Sequence, residues 1–326
     1  MKVSKRYWFI SFVLLFFIGC DTSTQKEFFT VNDGKLLDAN GQEFVIRGMN
    51  VPHAWFPDQS YEALNELTKY NVNCVRIVWE SGKEASELEK VVARCVDLQM
   101  IPMVELHNAT GDSTETKLLE MVDYYTSDQM KNIIIKYEQY LLLNIANEWG
   151  DHTMTDEYWR DSYLKAIQKM RDAGYRTTLV IDASGWGQNI SPIITYGKDL
   201  NDADPMHNIL FSVHMYGSWN DVEKIRSNLR KVKQLKLPLI IGEFGYNFNE
   251  GDNNLACKVN HEVLLEECQN LQIGYLPWSW TGNNEANQWL DIVSREDWKS
   301  LTNWGDDVMN SPEGIKLNAL KATLFD

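Results

Sequence analysis

Cysteine is scarce in this chain of 326 residues: there are five, and none of their spacings suits a zinc site. Positive charge is short as well. Lysine and arginine total 31 against 46 aspartates and glutamates, and the formal net charge of −15 excludes the cationic surface needed to displace counterions from a phosphate backbone. A nucleic-acid partner is therefore not expected, whereas a neutral polymer meets no such obstacle. No proline- and serine-rich tract and no block of like charge interrupts the sequence, which sets aside the disordered class. Neither the spacing of the histidines nor the carboxylates near them argues for a metal. The apolar run nearest the N-terminus is too short for an ordinary membrane span.

Apolar and aromatic residues, by contrast, make up 44% and 12% of the chain, enough for a large core. At the N-terminus Lys2, Lys5 and Arg6 precede an apolar stretch from Tyr7 to Ile18, the pattern of an export signal. That stretch ends in Phe17-Ile18-Gly19-Cys20, which resembles the lipobox of bacterial lipoproteins, with Phe17 where leucine is usual. The resemblance implies a signal peptide over residues 1–19, a lipid on Cys20, and a chain anchored to the cell envelope on its periplasmic or outer face; plain secretion is the alternative. Residues 20–27 then read as a polar tether and residues 28–326 as the folded domain. In an oxidising compartment Cys74 and Cys95 can pair, but buried free thiols are the favoured state. Cys257 and Cys268 are placed on one helix, too far apart along it to bridge.

Short β-branched or apolar runs recur at Phe44–Arg47, Val72–Val78, Ile101–Leu106, Leu141–Asn144, Thr178–Ile181, Ile209–Val213, Leu239–Ile241 and Ile273–Leu276. These runs predict strands. Between them apolar residues fall at helical spacing, as in Tyr61, Leu64, Leu67 and Tyr70, or Tyr163, Ile167 and Met170. Strands alternating with helices imply parallel pairing, and the set predicts an α/β fold, a (β/α)8 TIM barrel filling one large domain. Ahead of the first run, Phe28–Leu37 and Gln42–Ile46 flank Asp38-Ala39-Asn40-Gly41, where Asn-Gly supplies the positive φ angles of a tight turn. This N-terminal β-hairpin is expected to plug the barrel from beneath.

Chemistry in such a barrel sits at the carboxyl ends of the strands. Here the runs end in Arg76, His107-Asn108, Asn147-Glu148, His214-Met215-Tyr216, Glu243 and Trp278-Ser279-Trp280. Glu148 and Glu243 fall on the fourth and seventh strands and so face each other across the mouth. Glycoside hydrolysis needs such a pair, one carboxyl neutral to protonate the departing oxygen and one ionised. A salt-bridged structural glutamate is the plainer alternative for either residue alone. Arg76 is expected to lower the pKa of the ionised partner, a core ion pair being its alternative, and Asn147 to bind the sugar 2-hydroxyl. Tyr216 is placed to hydrogen-bond the ionised carboxylate, while His107 and His214 take binding or orienting roles. Trp55, Trp79, Trp149, Trp186, Trp278 and Trp280 stand at or just beyond strand ends, where flat rings can stack on pyranose faces of an extended polysaccharide. For any one of them, plain packing is the competing account.

Taken in order, Arg76, His107, Asn147-Glu148, His214 with Tyr216, Glu243 and Trp278 resemble glycoside hydrolase family 5, over nearly the whole chain after the tether. The resemblance implies Glu148 as acid/base and Glu243 as nucleophile of a retaining double displacement, with no cofactor and no metal. Within the family the likeness is to bacterial endo-β-1,4-mannanases, carried by Phe44-Val45-Ile46-Arg47-Gly48-Met49-Asn50, His53-Ala54-Trp55, Asn144-Ile145-Ala146-Asn147-Glu148-Trp149, Ala183-Ser184-Gly185-Trp186-Gly187-Gln188 and Leu301-Thr302-Asn303-Trp304-Gly305. It adds His53 to the substrate-binding set and implies a β-mannan, whether mannan, glucomannan or galactomannan, as partner of a monomeric chain that meets the membrane through its lipid only. The alternatives are a β-1,4-glucanase on the same scaffold and a surface glycan-binding lipoprotein without catalysis. Pro52, Asn108 and Gly150-Asp151 depart from the family pattern, and an extra stretch lies around Asn247–Ala256.

Overall fold

The computed structural model describes residue 1, residues 27–248 and residues 258–326. The export signal, Cys20 and Cys257 lie outside the described residues, as does nearly all of the stretch at 247–256. Among the described residues no helix is long and apolar enough to cross a membrane.

Two short antiparallel strands, β1 (Thr30–Asn32) and β2 (Lys35–Leu37), precede eight parallel ones. These are β3 (Gly48–Val51), β4 (Cys74–Trp79), β5 (Ile101–Leu106), β6 (Leu142–Asn144), β7 (Leu179–Asp182), β8 (Ile209–Met215), β9 (Leu239–Phe244) and β10 (Gly274–Tyr275), paired in chain order. A single parallel bridge between Arg47 and Tyr275 brings the two edges of the sheet together, so the architecture is a (β/α)8 barrel. Helices α1 (Pro57–Leu67), α2 (Ala85–Asp97), α3 (Glu115–Tyr125), α4 (Asp128–Tyr137), α5 (Asp156–Asp172), α6 (Ser191–Ala203), α7 (Val222–Gln234) and α8 (His261–Leu271) form the crossovers, with both α3 and α4 between β5 and β6. Side chains of Thr114, Ser127, Thr155, Asp221 and Asn260 accept amide hydrogen bonds at the starts of α3, α4, α5, α7 and α8. Each such cap is worth about 1 kcal/mol.

Strand periodicity sorts the barrel residues into two sets. Val75, Ile77, Leu143, Leu179, Ile181, Phe211, Val213 and Ile241 point outward into the large core beneath the helices. Their neighbours point inward, and the inward set changes character along the axis. At the strand starts Cys74, Ile101, Met103, Leu142, Val180, Leu210 and Ile240 form an apolar floor with Phe29, Leu36, Phe44 and Ile46. One step further along lie Asn50, Arg76, Glu105, Asn144, Asp182 and Ser212, all buried. The chain enters this floor at Glu27–Phe29, where Thr178 and the Asn208 amide donate to the Phe29 carbonyl. It also ends there: Ala322 belongs to the floor, Asp38 accepts from Thr323, and Phe325 stacks on Tyr140.

Two expectations need correction. A second, two-residue turn at Asp33-Gly34, with φ of 50° and 75°, folds the expected first arm on itself, while Asn40-Gly41 turns the chain back as expected, with Leu37 bridged antiparallel to Glu43. The Asn40-Gly41 pair lies in a wider loop, in which the Asp38 carboxylate accepts the Asn40 and Gln42 amides. The first barrel strand is Gly48–Val51 rather than Phe44–Arg47, because the apolar Phe44 and Ile46 close the floor while the true strand turns Asn50 inward. Helix α8 begins at His261 and holds Cys268. Cys74, Cys95 and Cys268 are buried free thiols.

Candidate active site

Arg76, inside the barrel and fully buried, organises the polar layer. All five of its N–H groups find acceptors: Nε and Nη2 bond Asn144 Oδ1 at 3.1 and 2.8 Å, Nη1 bonds Asn50 Oδ1 at 2.9 Å and Glu243 Oε1 at 2.8 Å, and Nη2 bonds Asn147 Oδ1 at 2.6 Å. The second oxygen of Glu243 accepts the Tyr216 hydroxyl at 2.8 Å. Both oxygens of this carboxylate are thus fixed by donors on other strands or loops. The Asn147 amide, its oxygen committed to Arg76, donates through Nδ2 to Thr110 at 2.8 Å.

Glu148 sits differently. It follows β6 at φ 47°, a left-handed conformation rare for a non-glycine residue. Its amide donates to Asp182 Oδ2 at 3.0 Å and its carbonyl accepts the Gly111 amide at 3.0 Å. Its side-chain Oε1 meets His214 Nδ1 at 2.9 Å. His214 is aimed there by an irregularity: Val213 pairs with Ile241 but His214 with Glu243, so β9 carries one extra residue at Gly242. One carboxylate oxygen of Glu148, one of Glu243 and a ring nitrogen of His214 lie within 4.8 Å of one another. Carboxyl pairs in retaining glycosidases stand about 5–5.5 Å apart and those in inverting enzymes about 6.5–9.5 Å.

Burial pushes the Glu243 carboxyl above its ordinary range; the charges of His214, Arg76 and His107 oppose that push and Glu148 adds to it. Arg76 therefore pulls in the expected direction without deciding the outcome. Burial would also discharge Arg76, but Glu105, Glu243 and Asp182 outweigh it and hold the guanidinium charged. For His214 burial is likewise overcome, by Glu243, Asp182 and Glu148, and its pKa rises to about 9. His107, whose Nδ1 meets Glu105 at 3.0 Å, is raised against its burial by that same carboxylate.

A cleft of about 370 Å³ lies over the pair, lined among others by His107, Thr110, Glu148, Trp186, Gln188, Tyr216, Glu243 and Trp278. It shares His107, Trp278 and Asn287 with a hollow of about 570 Å³ that reaches Trp55 and Arg295, and Gln188 with one of about 420 Å³ that reaches His152 and Asn228. The result is a groove across the mouth with room on both sides of the carboxylates. Trp55 and Trp186 are 41% and 39% exposed on its two flanks, and His107 stacks on Trp278 with ring centres 5.8 Å apart.

Other sequence candidates lie elsewhere. Trp280 is fully buried, its Nε1 donating to the Trp298 carbonyl at 3.2 Å, so it packs the core and touches no groove. Trp79 and Trp149 are buried too, bonded to Tyr124 and to the Thr114 carbonyl. His53 is buried against Trp79, neither ring nitrogen has a hydrogen-bond partner, and burial lowers its pKa to about 4. The departures from the family pattern have local uses. The Pro52 carbonyl accepts the Trp55 and Phe56 amides, Asn108 accepts the Ser81 amide, and Gly150 links the Asp112 carbonyl to the Trp186 amide. Glu105 and Asn144 were missed because they lie inside an apolar run or at its last residue, Asp182 because it stands one place beyond such a run, and Asn50 because its strand has no apolar run at all. Their signal was a polar residue two positions after an inward apolar one, as in Met103 to Glu105 or Val180 to Asp182.

Among the described residues, Glu148, His214 and Glu243 are also the acidic and histidine side chains grouped closely enough to share a metal ion. Their facing atoms are already engaged, since Arg76 and Tyr216 take the Glu243 oxygens and Glu148 takes Nδ1 of His214.

A close carboxylate pair at the C-terminal mouth of a (β/α)8 barrel, in a groove flanked by exposed indoles, defines a glycoside hydrolase. The family model described as cellulase (glycosyl hydrolase family 5) matches residues 37–284, and the chain belongs to that family. It is 36% identical over 305 residues to a mannan endo-1,4-β-mannosidase of Salipaludibacillus agaradhaerens, a match covering 91% of this chain and 96% of that protein. Among solved structures it is similar to the β-mannanase of Thermomonospora fusca, with TM-score 0.85, 34% identity and coverage of 92% of this chain and 99% of that one. The mannohexaose complex of that β-mannanase matches with TM-score 0.84 at 34% identity, over the same shares of each chain.

Proposed function

We propose that this chain is a retaining endo-β-1,4-mannanase that cleaves internal bonds of mannan, glucomannan or galactomannan. The observation that carries the endo reading is the groove, which continues past the two carboxylates on both flanks and so accommodates a polymer running through. The mannan reading is supported by the relatives, a mannan endo-1,4-β-mannosidase and a β-mannanase solved with mannohexaose.

In this reading Glu243, held by Arg76 and Tyr216, attacks the anomeric carbon while Glu148 gives its proton to the departing glycosidic oxygen. Protonation of Glu148 removes the like charge that pushes Glu243 up, so the acid and the ionised nucleophile favour each other. Water then attacks the glycosyl-enzyme, Glu148 takes its proton, and the bond to Glu243 breaks with net retention. Asn147, oriented by Arg76, supplies Nδ2 to the sugar 2-hydroxyl, and Trp55, Trp186 and Trp278 carry pyranose faces. His107 and His214 orient the groups around the reacting carbon.

Export with a lipid on Cys20 completes the proposal, on the strength of the Phe17–Cys20 motif. Product sizing on galactomannan and carboxymethylcellulose, with NMR of the first anomer released from manno-oligosaccharides, tests the reaction. The expected result is mixed oligomers from galactomannan with the β-anomer first. First release of the inverted anomer would refute the roles of the glutamates, and faster cleavage of carboxymethylcellulose would replace mannan by glucan.

A further inference from the structure

Double displacement uses two carboxyl groups, yet four converge beneath the groove: Glu148, Glu243, Glu105 and Asp182. Glu105 is engaged by His107. Asp182, at the end of β7, is fully buried, so no substrate reaches it. Its Oδ2 accepts the Glu148 amide at 3.0 Å and its Oδ1 accepts Asn144 Nδ2 at 3.2 Å; Oδ2 also stands 3.5 Å from His214 Nε2 and 3.7 Å from Arg76 Nη2.

Two properties of the neighbouring residues meet at this carboxylate. The left-handed backbone of Glu148 is unfavourable for a residue with a Cβ and persists only where the surroundings fix it. Asp182 takes the amide on one side of that residue while Gly111 occupies the carbonyl on the other. The second property belongs to His214. Its Nδ1 faces the Glu148 carboxylate and must carry a proton to bond it when that carboxylate is ionised, and its Nε2 has no hydrogen-bond partner but faces Asp182. The charged groups around the ring are Glu148 after β6, Asp182 on β7 and Glu243 on β9, with Arg76 on β4 and Glu105 and His107 at the end of β5 just beyond. Burial discourages charge on the ring, and the three nearest carboxylates outweigh it.

We propose that Asp182 is a positioning residue for the acid/base carboxyl: through the Glu148 amide it holds that residue in its left-handed conformation, and through its charge it keeps His214 a donor toward the Glu148 side chain. The inference rests on the acid/base reading of Glu148.

Asp182→Asn keeps an acceptor for the Glu148 amide and removes the charge, whereas Asp182→Ala removes both. In pH profiles of kcat/KM on a manno-oligosaccharide, the alkaline limb of the Asn variant is expected to move down by about one pH unit or more, with activity on the acid side within about threefold of the parent. The Ala variant is expected to show the same displacement and, at its optimum, a loss at least about tenfold larger on the oligosaccharide than on an activated aryl mannoside. An unmoved alkaline limb in the Asn variant, or equal losses on both substrates in the Ala variant, overturns the proposal. Nitrogen-15 NMR of the unmodified protein gives an independent reading: both His214 nitrogens protonated at pH 7.5 supports it, and a neutral ring there overturns it. Glu148→Gln separates the two levels. If that variant loses activity evenly on good and poor leaving groups, the acid/base reading has failed; if it discriminates and the Asp182→Asn profile is unmoved, only the present inference has.

Discussion

Glu148 and Glu243 carry the same functional group in opposite settings: one is held by its backbone and a single imidazole, the other clasped at both oxygens by a guanidinium and a phenol. Replacing Glu148 by Gln keeps the shape and removes the proton. Turnover of manno-oligosaccharides should fall by about 10²–10⁴, the usual reach of general acid catalysis, while hydrolysis of an activated aryl mannoside falls far less. Steady-state kinetics on the two substrates read the difference, and equal losses would remove the acid role. The tryptophans divide just as sharply. Trp186→Ala, on an exposed flank, should raise KM for long oligomers and leave Tm within a degree or two, whereas Trp280→Ala empties the core at a cost of about 3–5 kcal/mol. Calorimetry beside kinetics distinguishes them, and a KM effect without destabilisation at Trp280 would return it to the groove.

The loop after β7 shows how an element rather than a residue places the site. Gly185, Trp186 and Gly187 are successive left-handed residues, with φ of 62°, 52° and 69°. The Gly187 carbonyl accepts the His214 amide at 2.7 Å, and a Cβ on Gly187 would stand 2.7 Å from the His214 ring. Gly187→Ala should therefore destabilise by roughly 1–3 kcal/mol through backbone strain and contact, and cut kcat by displacing the imidazole that meets Glu148. A variant with parental Tm and kcat would show that this loop does not hold His214. The strands carrying Arg76, His107, Glu148, His214 and Glu243 were legible in the sequence because apolar runs ended in polar residues of suggestive chemistry. Less visible was the first strand, whose Gly48 and Asn50 look nothing like a buried run, and the turn at Asp33-Gly34, overshadowed by the Asn-Gly pair seven residues later. Asp182 was hidden for a different reason. Its importance comes from three partners distant in the chain, and no local pattern announces them.

For the molecule as a whole, two buried histidines shape the response to pH with opposite signs. His214, raised to about 9 from an unfolded value near 6.5, contributes stability that is complete below about 6.5 and lost as pH rises toward 9. His53, lowered to about 4, contributes stability present above about 6.5 and lost as pH falls toward 4. Urea midpoints measured from pH 4 to 9 should trace a dome with its top near pH 6.5. His53→Leu should flatten the acid side alone, and an unchanged acid side in that variant would assign the loss to other groups.

The first and last residues of the folded domain, Glu27 and Asp326, both lie at the floor of the barrel, the pole opposite the two glutamates. The protein is thus built like a cup held by its base. Attached through either of these residues to a bead, a scaffold or a passenger protein, it turns its mouth away from the support, and a linker joining the two would allow the folded domain to be reopened in a surface loop without crossing the path of the polymer.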